Sequence, residues 1–454
     1  MSYKQSEKDA LIQADRAGLI HPQHHPIEYK NPQLWVSGNG IYLTNYEGNT
    51  YIDGLSSMWN VYLGHGRKEL ADAGYAQLKK LAYSTSYAGT THIQAIQLVE
   101  KIKQHIYPNI EAFYFTQGGS DATDTSIRTA RFYWLAKGFK NKLKIISSNT
   151  GYHGSTIGSA SATGCDEFSK GFGPRLPYFV RIETYNPYRF KTVREDVSRG
   201  VAAADLLEDA ILREGADTVA AFIIEPVQGG GGGIIVPDED YFKKVRQICD
   251  KYNVLLISDE VINGFGRTGR WFALEHFGIK PDIVQFAKGI TSGYFPLGGV
   301  GFSGDIKNIL DNVSSANRWW HGYTCSAHPV GCAIANANIK ILEDEGLVEN
   351  AARQGKKLKE RLLPLLNTKY VGDVRGLGLL VAVELVNDKE TKKTFDPELG
   401  IGQKVKDLLY EKGLVTRMLG EIICLAPPLI INDEQTDKIA DIVIETIEEL
   451  QNNV

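Results

Sequence analysis

Short apolar runs alternate with longer amphipathic stretches along most of this chain. The runs "AFYFT" (112–116), "KLKIISS" (142–148), "VAAFIIEP" (219–226), "NVLLISDEV" (253–261) and "DIVQFAKG" (282–289) are short and rich in β-branched and aromatic residues. Near-continuous apolar character over such a length predicts strands buried on both faces. The stretches "HIQAIQLVEKIKQHI" (92–106) and "ATDTSIRTARFYWLAKG" (122–138) repeat apolar residues at the spacing of one helix face. Strands alternating with helices predict crossover units and a mostly parallel sheet.

The two ends read differently. "IYLTNYEGNTYID" (41–53) predicts a hairpin with Tyr46-Glu47-Gly48-Asn49 at its turn. After about residue 333 come a long helix, "AIANANIKILEDE", then "GLGLLVAVEL" and a closing helix. That helix is capped near Asn432 and carries Ile439, Ile442, Val443, Ile447 and Leu450 on one face. The expected fold class is α/β: a large domain (63–330) around a mostly parallel sheet flanked by helices. A smaller α+β domain draws on both chain ends (1–62 and 331–454). "GGGGG" (229–233) is too short for a linker and reads as a loop.

Composition narrows the class without naming a chemistry. The 454 residues are 43% apolar and 23% charged, with a net charge of −4. These values describe a globular protein with no electrostatic leaning toward nucleic acid or anionic membrane. No apolar run reaches the roughly 18–20 residues of a membrane helix. The polar start "MSYKQSEKDALIQADRAG" lacks the apolar core of a secretion signal. Five scattered cysteines without metal spacing are expected as free thiols in a reducing cytoplasm. His21, His24 and His25 in "HPQHHP" lack the carboxylate or cysteine that would complete a metal set, so no metal is expected.

One short motif raises a specific question. "SDEVINGFGRTG" contains G-x-G-x-x-G at Gly264, Gly266 and Gly269. A dinucleotide loop needs a strand before it, a helix after it and an acid about 20 residues further on. Here two acids, Asp259 and Glu260, precede the glycines and another strand soon follows. A nicotinamide-dependent oxidoreductase is therefore the weaker alternative.

Charge at the strand ends fits better. In open α/β sheets, ligands gather at the carboxyl ends of strands. Three successive expected strands end at Glu225, Asp259 and Lys288. A lysine after "VQFA" would be partly desolvated, which lowers its pKa and frees a nucleophilic amine for Schiff-base chemistry. An aspartate beside it can hold a protonated pyridine nitrogen, and such a pair is the minimal apparatus for pyridoxal phosphate. The run "FYFTQGGSDATDTSIRTARFYW" offers a phosphate cup: a strand, then Gly118, Gly119 and Ser120, then a helix N-terminus. Tyr152 in "TGYHGST" is an aromatic available to cover a ring. Taken singly, each feature has an ordinary structural explanation.

Together these residues resemble the class III aminotransferases, the fold type I pyridoxal phosphate family that includes ω-amino acid:pyruvate transaminases. "SDEVINGFGRTG" with "QFAKGITSGYFPLGG" is the most specific segment. "IIEPVQG", "GYHGST", "HGYTCSAHP" and "RMLGEIICLAPPL" match further family segments, and the likeness runs over nearly the whole chain. The resemblance implies that Lys288 carries the cofactor as a Schiff base and shuttles the proton. Asp259 would pair with the pyridine nitrogen, Val261 would pack beneath the ring and Tyr152 above it. Gly118, Gly119 and Ser120 would hold the phosphate, and Thr324 would reach the phosphate of a neighbouring subunit, so a homodimer or dimer of dimers is expected. Trp59 and Tyr87 match pocket-wall positions. Glu225 matches a glutamate near the cofactor, and Arg417 matches a mobile arginine that pairs with a substrate carboxylate. The partners implied are an amine donor and a keto acid. The phosphate loop departs from the usual pattern: Gly118 stands for a serine and Asp121 for a glutamate. An aminomutase or racemase on the same fold remains open at this point. So does a catalytically silent binding protein.

Overall fold

The computed structural model describes residues 5–30, 32–87, 89–192 and 194–453. Among these the chain forms three sheets. The central one has seven strands in the spatial order Ile110–Thr116, Gly298–Ser303, Ile283–Phe286, Leu255–Asp259, Val219–Ile224, Lys144–Ser148, Phe179–Ile182. Gly298–Ser303 runs antiparallel to both neighbours, and the other pairings are parallel.

The apolar runs are continuous because both faces of this sheet are covered. Along Val219–Ile224, Ala221 and Ile223 join one core cluster with Ile127, Ala130 and Trp134 of the helix Gly119–Ala136. Phe222 and Ile224 point the other way. They join a cluster with Leu207 of the helix Arg199–Glu214 and with Phe242 and Val245 of Glu239–Lys251. Alternation is present, but both alternating sets are apolar.

Strands from the two ends of the chain pair with each other. Tyr42–Asn45 and Thr50–Asp53 form the hairpin, with Leu43 opposite Tyr51. Leu414–Val415 adds to it in parallel, Leu414 opposite Ile52. The third sheet has the order Val371–Leu377, Leu380–Leu385, Ile422–Leu425, Arg417–Leu419. The closing helix Asp433–Asn453 opens on a reciprocal cap. Gln435 N–H donates to Asn432 Oδ1 at 2.9 Å, and Asn432 N–H donates to Gln435 Oε1 at 3.1 Å. The helix Pro329–Asp344 spans the expected domain boundary at 330 and packs on the helices Lys68–Lys80 and Ile93–Lys103.

Candidate active site

Register brings the charged strand ends to one level. Ile224 lies opposite Ser258 and Asp259 opposite Gln285, so Glu225, Asp259 and Lys288 emerge side by side. The strand alternation also separates the two adjacent acids. Asp259 lines a cavity of about 200 Å³ with Lys288, Glu225, Tyr152, Gly119 and Ser120. Glu260 turns away. It accepts from Tyr107 Oη, Ser258 Oγ and the N–H groups of Ala273 and Leu274, which fixes the segment beyond the glycine loop. Burial raises its pKa to about 7 despite these donors.

The glycine loop is a packing device. Gly269 has φ +82°, and a Cβ there would lie 2.7 Å from Ala352 Cβ on the helix Leu347–Leu362. Arg267 in the same loop is fully buried. It donates to Pro427 O at 2.6 Å and Ser56 Oγ at 2.9 Å, and it lies over the Tyr62 ring. The loop thus ties the sheet to both chain ends.

Lys288 is strained and clamped. Its φ is +45°, a region that non-glycine residues rarely occupy and that clusters at functional sites. The next carbonyl, Gly289 O, accepts from Asn338 Nδ2 at 2.9 Å, and Asn338 in turn accepts from Ser292 Oγ. The lysine keeps some accessible surface because it lines the cavity, yet protein surrounds its amine. Burial lowers its pKa to about 8; Asp259 and Glu225 oppose the shift, and Arg417 adds to it.

Asp259 is only 2% exposed and has both oxygens engaged. Its Oδ1 accepts from Val261 N–H at 3.1 Å, and its Oδ2 from His153 Nδ1 at 2.7 Å. His153 is itself held, with its N–H on Thr163 Oγ1 and its carbonyl accepting from Thr123 Oγ1. Its Nε2 is buried without a hydrogen-bond partner. Glu225 accepts from the N–H groups of Tyr152 at 3.0 Å and Gly229 at 3.1 Å. Burial, with Asp259 adding to it, raises the Glu225 pKa to about 7.

The phosphate cup has the right ingredients. The helix Gly119–Ala136 starts after Gly118 with no side-chain cap, so its first N–H groups are not taken by a cap. A Cβ on Gly118 would meet nothing within 4 Å. Ser120 Oγ accepts from Ser155 N–H at 3.1 Å, and Gly119 approaches Val261 closely enough that a Cβ would lie 3.0 Å from it. An anion-ready helix start, a depressed-pKa lysine and a buried carboxylate therefore share one cavity. This donor set fits pyridoxal phosphate.

The family model "Aminotransferase class-III" matches residues 26–447. The chain is a class III aminotransferase. It is 37% identical over 417 residues to a putrescine–pyruvate aminotransferase of Pseudomonas aeruginosa, covering 91% of this chain and 90% of that one. It is 38% identical over 444 residues to a diaminobutyrate–2-oxoglutarate transaminase of Halomonas elongata, covering 94% of each. A solved ω-transaminase of Pseudomonas jessenii in complex with PMP superposes with a TM-score of 0.94 at 34% identity, over 98% of this chain and 99% of that one. The fold is that of the fold type I transaminases, and the enzyme is a pyridoxal-phosphate-dependent transaminase.

The remaining expected residues of the aminotransferase divide. Arg417, on Arg417–Leu419, rests against Met58 Sδ at 3.7 Å, and its charge bears on Lys288. Trp59 is buried beside a residue of the cavity wall. Ser56, Ser57 and Trp59 all have positive φ, and the ring is only 1% exposed, clustered with Leu55, Val227 and Ile262. Of these, Ile262 also lines the cavity. Tyr87 and Thr324 lie on neighbouring segments. Tyr87 is 48% exposed and abuts Gly322, while Tyr83 Oη donates to Thr324 O at 2.7 Å.

Sequence reasoning missed three supports. His153 is adjacent to Tyr152 in "GYHGST", and that adjacency was its only signal. Asn338 lies on the stretch "AIANANIKILEDE", which was expected only to form a long helix. Arg267 sits among the glycines that drew the attention.

Proposed function

We propose that the aminotransferase moves an amino group from a primary amine or ω-amino acid to a keto acid, pyruvate or 2-oxoglutarate, in two half-reactions at one site. The observation that carries this is the convergence of Lys288, Asp259 with His153, and the uncapped helix start in one cavity. The two relatives, named for amine donors with pyruvate or 2-oxoglutarate, support the substrate classes.

When bound, the cofactor supplies an electron-withdrawing pyridinium that stabilises negative charge at the substrate carbon bearing nitrogen. Gly118, Gly119 and Ser120 would hold its phosphate through backbone N–H groups and a hydroxyl. The serine hydroxyl usual at 118 is absent, but the backbone N–H remains. Asp259 would hold the ring nitrogen, kept in orientation by His153 and by Val261 N–H. Tyr152 and Val261 would flank the ring, and Trp59, packed with Ile262, would shape the pocket wall. Glu225 would fix the backbone of Tyr152 and of the loop at Gly229. Lys288 would anchor the cofactor, and its Nζ would take and return the proton at the reacting carbon. A pKa near 8 leaves a useful fraction of free amine near neutrality. Arg417 would pair with the keto acid carboxylate, a planar bidentate match.

The working unit would be a homodimer, or a dimer of dimers. Thr324 and Tyr87 are exposed on neighbouring segments, where they would serve the site of a second copy. Seven of the exposed large apolar side chains fall between Tyr75 and Ile96, which supplies a surface for one. Five free cysteines, four of them buried, suit a cytoplasmic setting. The domain division would fall between the helix Pro329–Asp344 and Leu347–Leu362, with the hairpin joined to the C-terminal part. The test of function is spectral. A primary amine should bleach the visible band of the purified enzyme, and pyruvate or 2-oxoglutarate should restore it. A racemase would keep the band and invert its substrate instead.

A further inference from the structure

His153 has two ring nitrogens, and only one of them meets Asp259. The carboxylate can only accept, so Nδ1 carries a hydrogen and the neutral ring presents a lone pair at Nε2. That Nε2 is buried and has no partner among the described residues. A buried acceptor left unpaired is costly. Its surroundings are polar and equally buried: His153 and Ser148 are each 3% exposed and Gln228 is 5% exposed.

A donor stands close by. Ser148 ends the strand Lys144–Ser148, beside the strand that leads to Glu225. Its Oγ accepts from Gln228 Nε2 at 2.8 Å. The amide is held in that sense, because its Oε1 accepts from Thr150 Oγ1 at 2.7 Å. Thr150 is fixed in turn, its N–H donating to Thr184 Oγ1 at 2.9 Å. With one lone pair taken by the amide, the Ser148 hydroxyl keeps its own hydrogen to donate. Gly151 shows where that hydrogen can go. A Cβ there would lie 2.9 Å from His153 Nε2 and 3.0 Å from Ser148 Oγ, so both atoms border the same small space and the glycine keeps it open.

We infer that Ser148 and Gln228 are positioning residues for the cofactor. The Ser148 hydroxyl, turned by Gln228, donates to His153 Nε2 and holds the imidazole in the tautomer that presents Nδ1–H to Asp259. What one ring nitrogen of a histidine can do is set by the bond the other makes. Were the hydrogen on Nε2, Nδ1 and the carboxylate would meet lone pair to lone pair, and Asp259 would lose a charge-assisted donor. The donors run in one direction, from Thr150 through Gln228, Ser148 and His153 to Asp259, so each hydrogen depends on the one before it. The inference rests on Asp259 holding the ring nitrogen, as proposed above, and carries its support two side chains outward.

The test uses the full-length holoenzyme carrying nitrogen-15 histidine, with S148A and Q228E; loss of signals in H153Q identifies those of His153. In the wild type, Nδ1 should carry the hydrogen and Nε2 should resonate as a bare nitrogen that accepts a hydrogen bond. Q228E replaces the amide donor by an acceptor, so the Ser148 hydroxyl turns away from His153 and the hydrogen should appear on Nε2. S148A removes the donor and should move Nε2 toward the resonance of a nitrogen without a hydrogen bond. Both substitutions should weaken cofactor binding in equilibrium dialysis, by about five- to tenfold. His153 resonances that neither substitution moves would overturn the inference. So would a wild-type Nε2 that already carries the hydrogen, or a cofactor affinity that both variants leave unchanged. A D259N enzyme that binds the cofactor as tightly as the wild type would instead remove the role of Asp259 on which the inference stands.

Discussion

Replacing Asp259 by asparagine keeps the shape of the site and removes its charge. The carboxylate has two acceptors in use, Oδ1 for Val261 N–H at 3.1 Å and Oδ2 for His153 Nδ1 at 2.7 Å. In D259N the new side chain would keep the first bond and turn its amide N–H₂ toward His153, forcing the other imidazole tautomer. That exchange of a charge-assisted bond for a neutral one costs about 1 kcal/mol. Loss of the anion facing a protonated ring nitrogen costs a further 1.5–3 kcal/mol or so. The sum, roughly 2.5–4 kcal/mol, corresponds to about 60- to 700-fold at 1.4 kcal/mol per decade. Cofactor affinity, by equilibrium dialysis, and the single-turnover bleaching rate with a primary amine should both fall within that range. The charge also acts on its neighbours. Asp259 favours the ammonium of Lys288 and opposes ionisation of Glu225, so its removal moves both pKa values down, from about 8 and about 7 respectively. The pH profile of lysine modification in the cofactor-free protein reads the first shift. A D259N enzyme within about twofold of wild type in both affinity and rate would refute the role. An unchanged unfolding midpoint would show that the loss is not one of folding.

Other outcomes follow from the same geometry. The free amine of Lys288 is the form that captures an aldehyde, so cofactor loading should quicken as pH rises toward about 8 and level above it; a flat stopped-flow profile would contradict this. R417A should raise KM for the keto acid by one to two decades, about 1.5–3 kcal/mol, and leave a simple primary amine nearly unaffected; equal losses would make the arginine structural. The enzyme should sediment as a dimer or larger at assay concentration, and a T324V variant should lower cofactor affinity without altering the Lys288 profile. A fully active monomer would remove the shared-site argument.

Local patterning made the sheet legible because each strand is buried on both faces, so its own residues announce it. The hairpin at 41–53 and the cap at Asn432 were legible for the same reason: their chemistry closes within a few residues. Lys288 and Asp259 could be found because strand ends are local features and because the open sheet gathers them at one edge. Apolar periodicity alone could not say which of Asp259 and Glu260 faces the cavity; the family resemblance pointed to Asp259, which lines it. Strand alternation and the helix Leu347–Leu362 behind the glycine loop decided that.

What the sequence by itself determined, then, is the order of the elements, the charged strand ends and the glycine-rich helix start. Tertiary structure decided the rest. His153 meets Asp259 across 106 residues of chain, Arg267 meets Ser56 across 211, and neither separation leaves a trace in local periodicity. Trp59 turned inward because three positive-φ residues, Ser56, Ser57 and Trp59 itself, reverse the chain there, a choice set by the local backbone and not by the type of side chain. Tyr87 and Thr324 lie on segments far apart in sequence that become neighbours only in the folded chain. A pairing between distant segments is fixed only when the core brings them into contact; until then the physical chemistry of each residue is known and its partner is not.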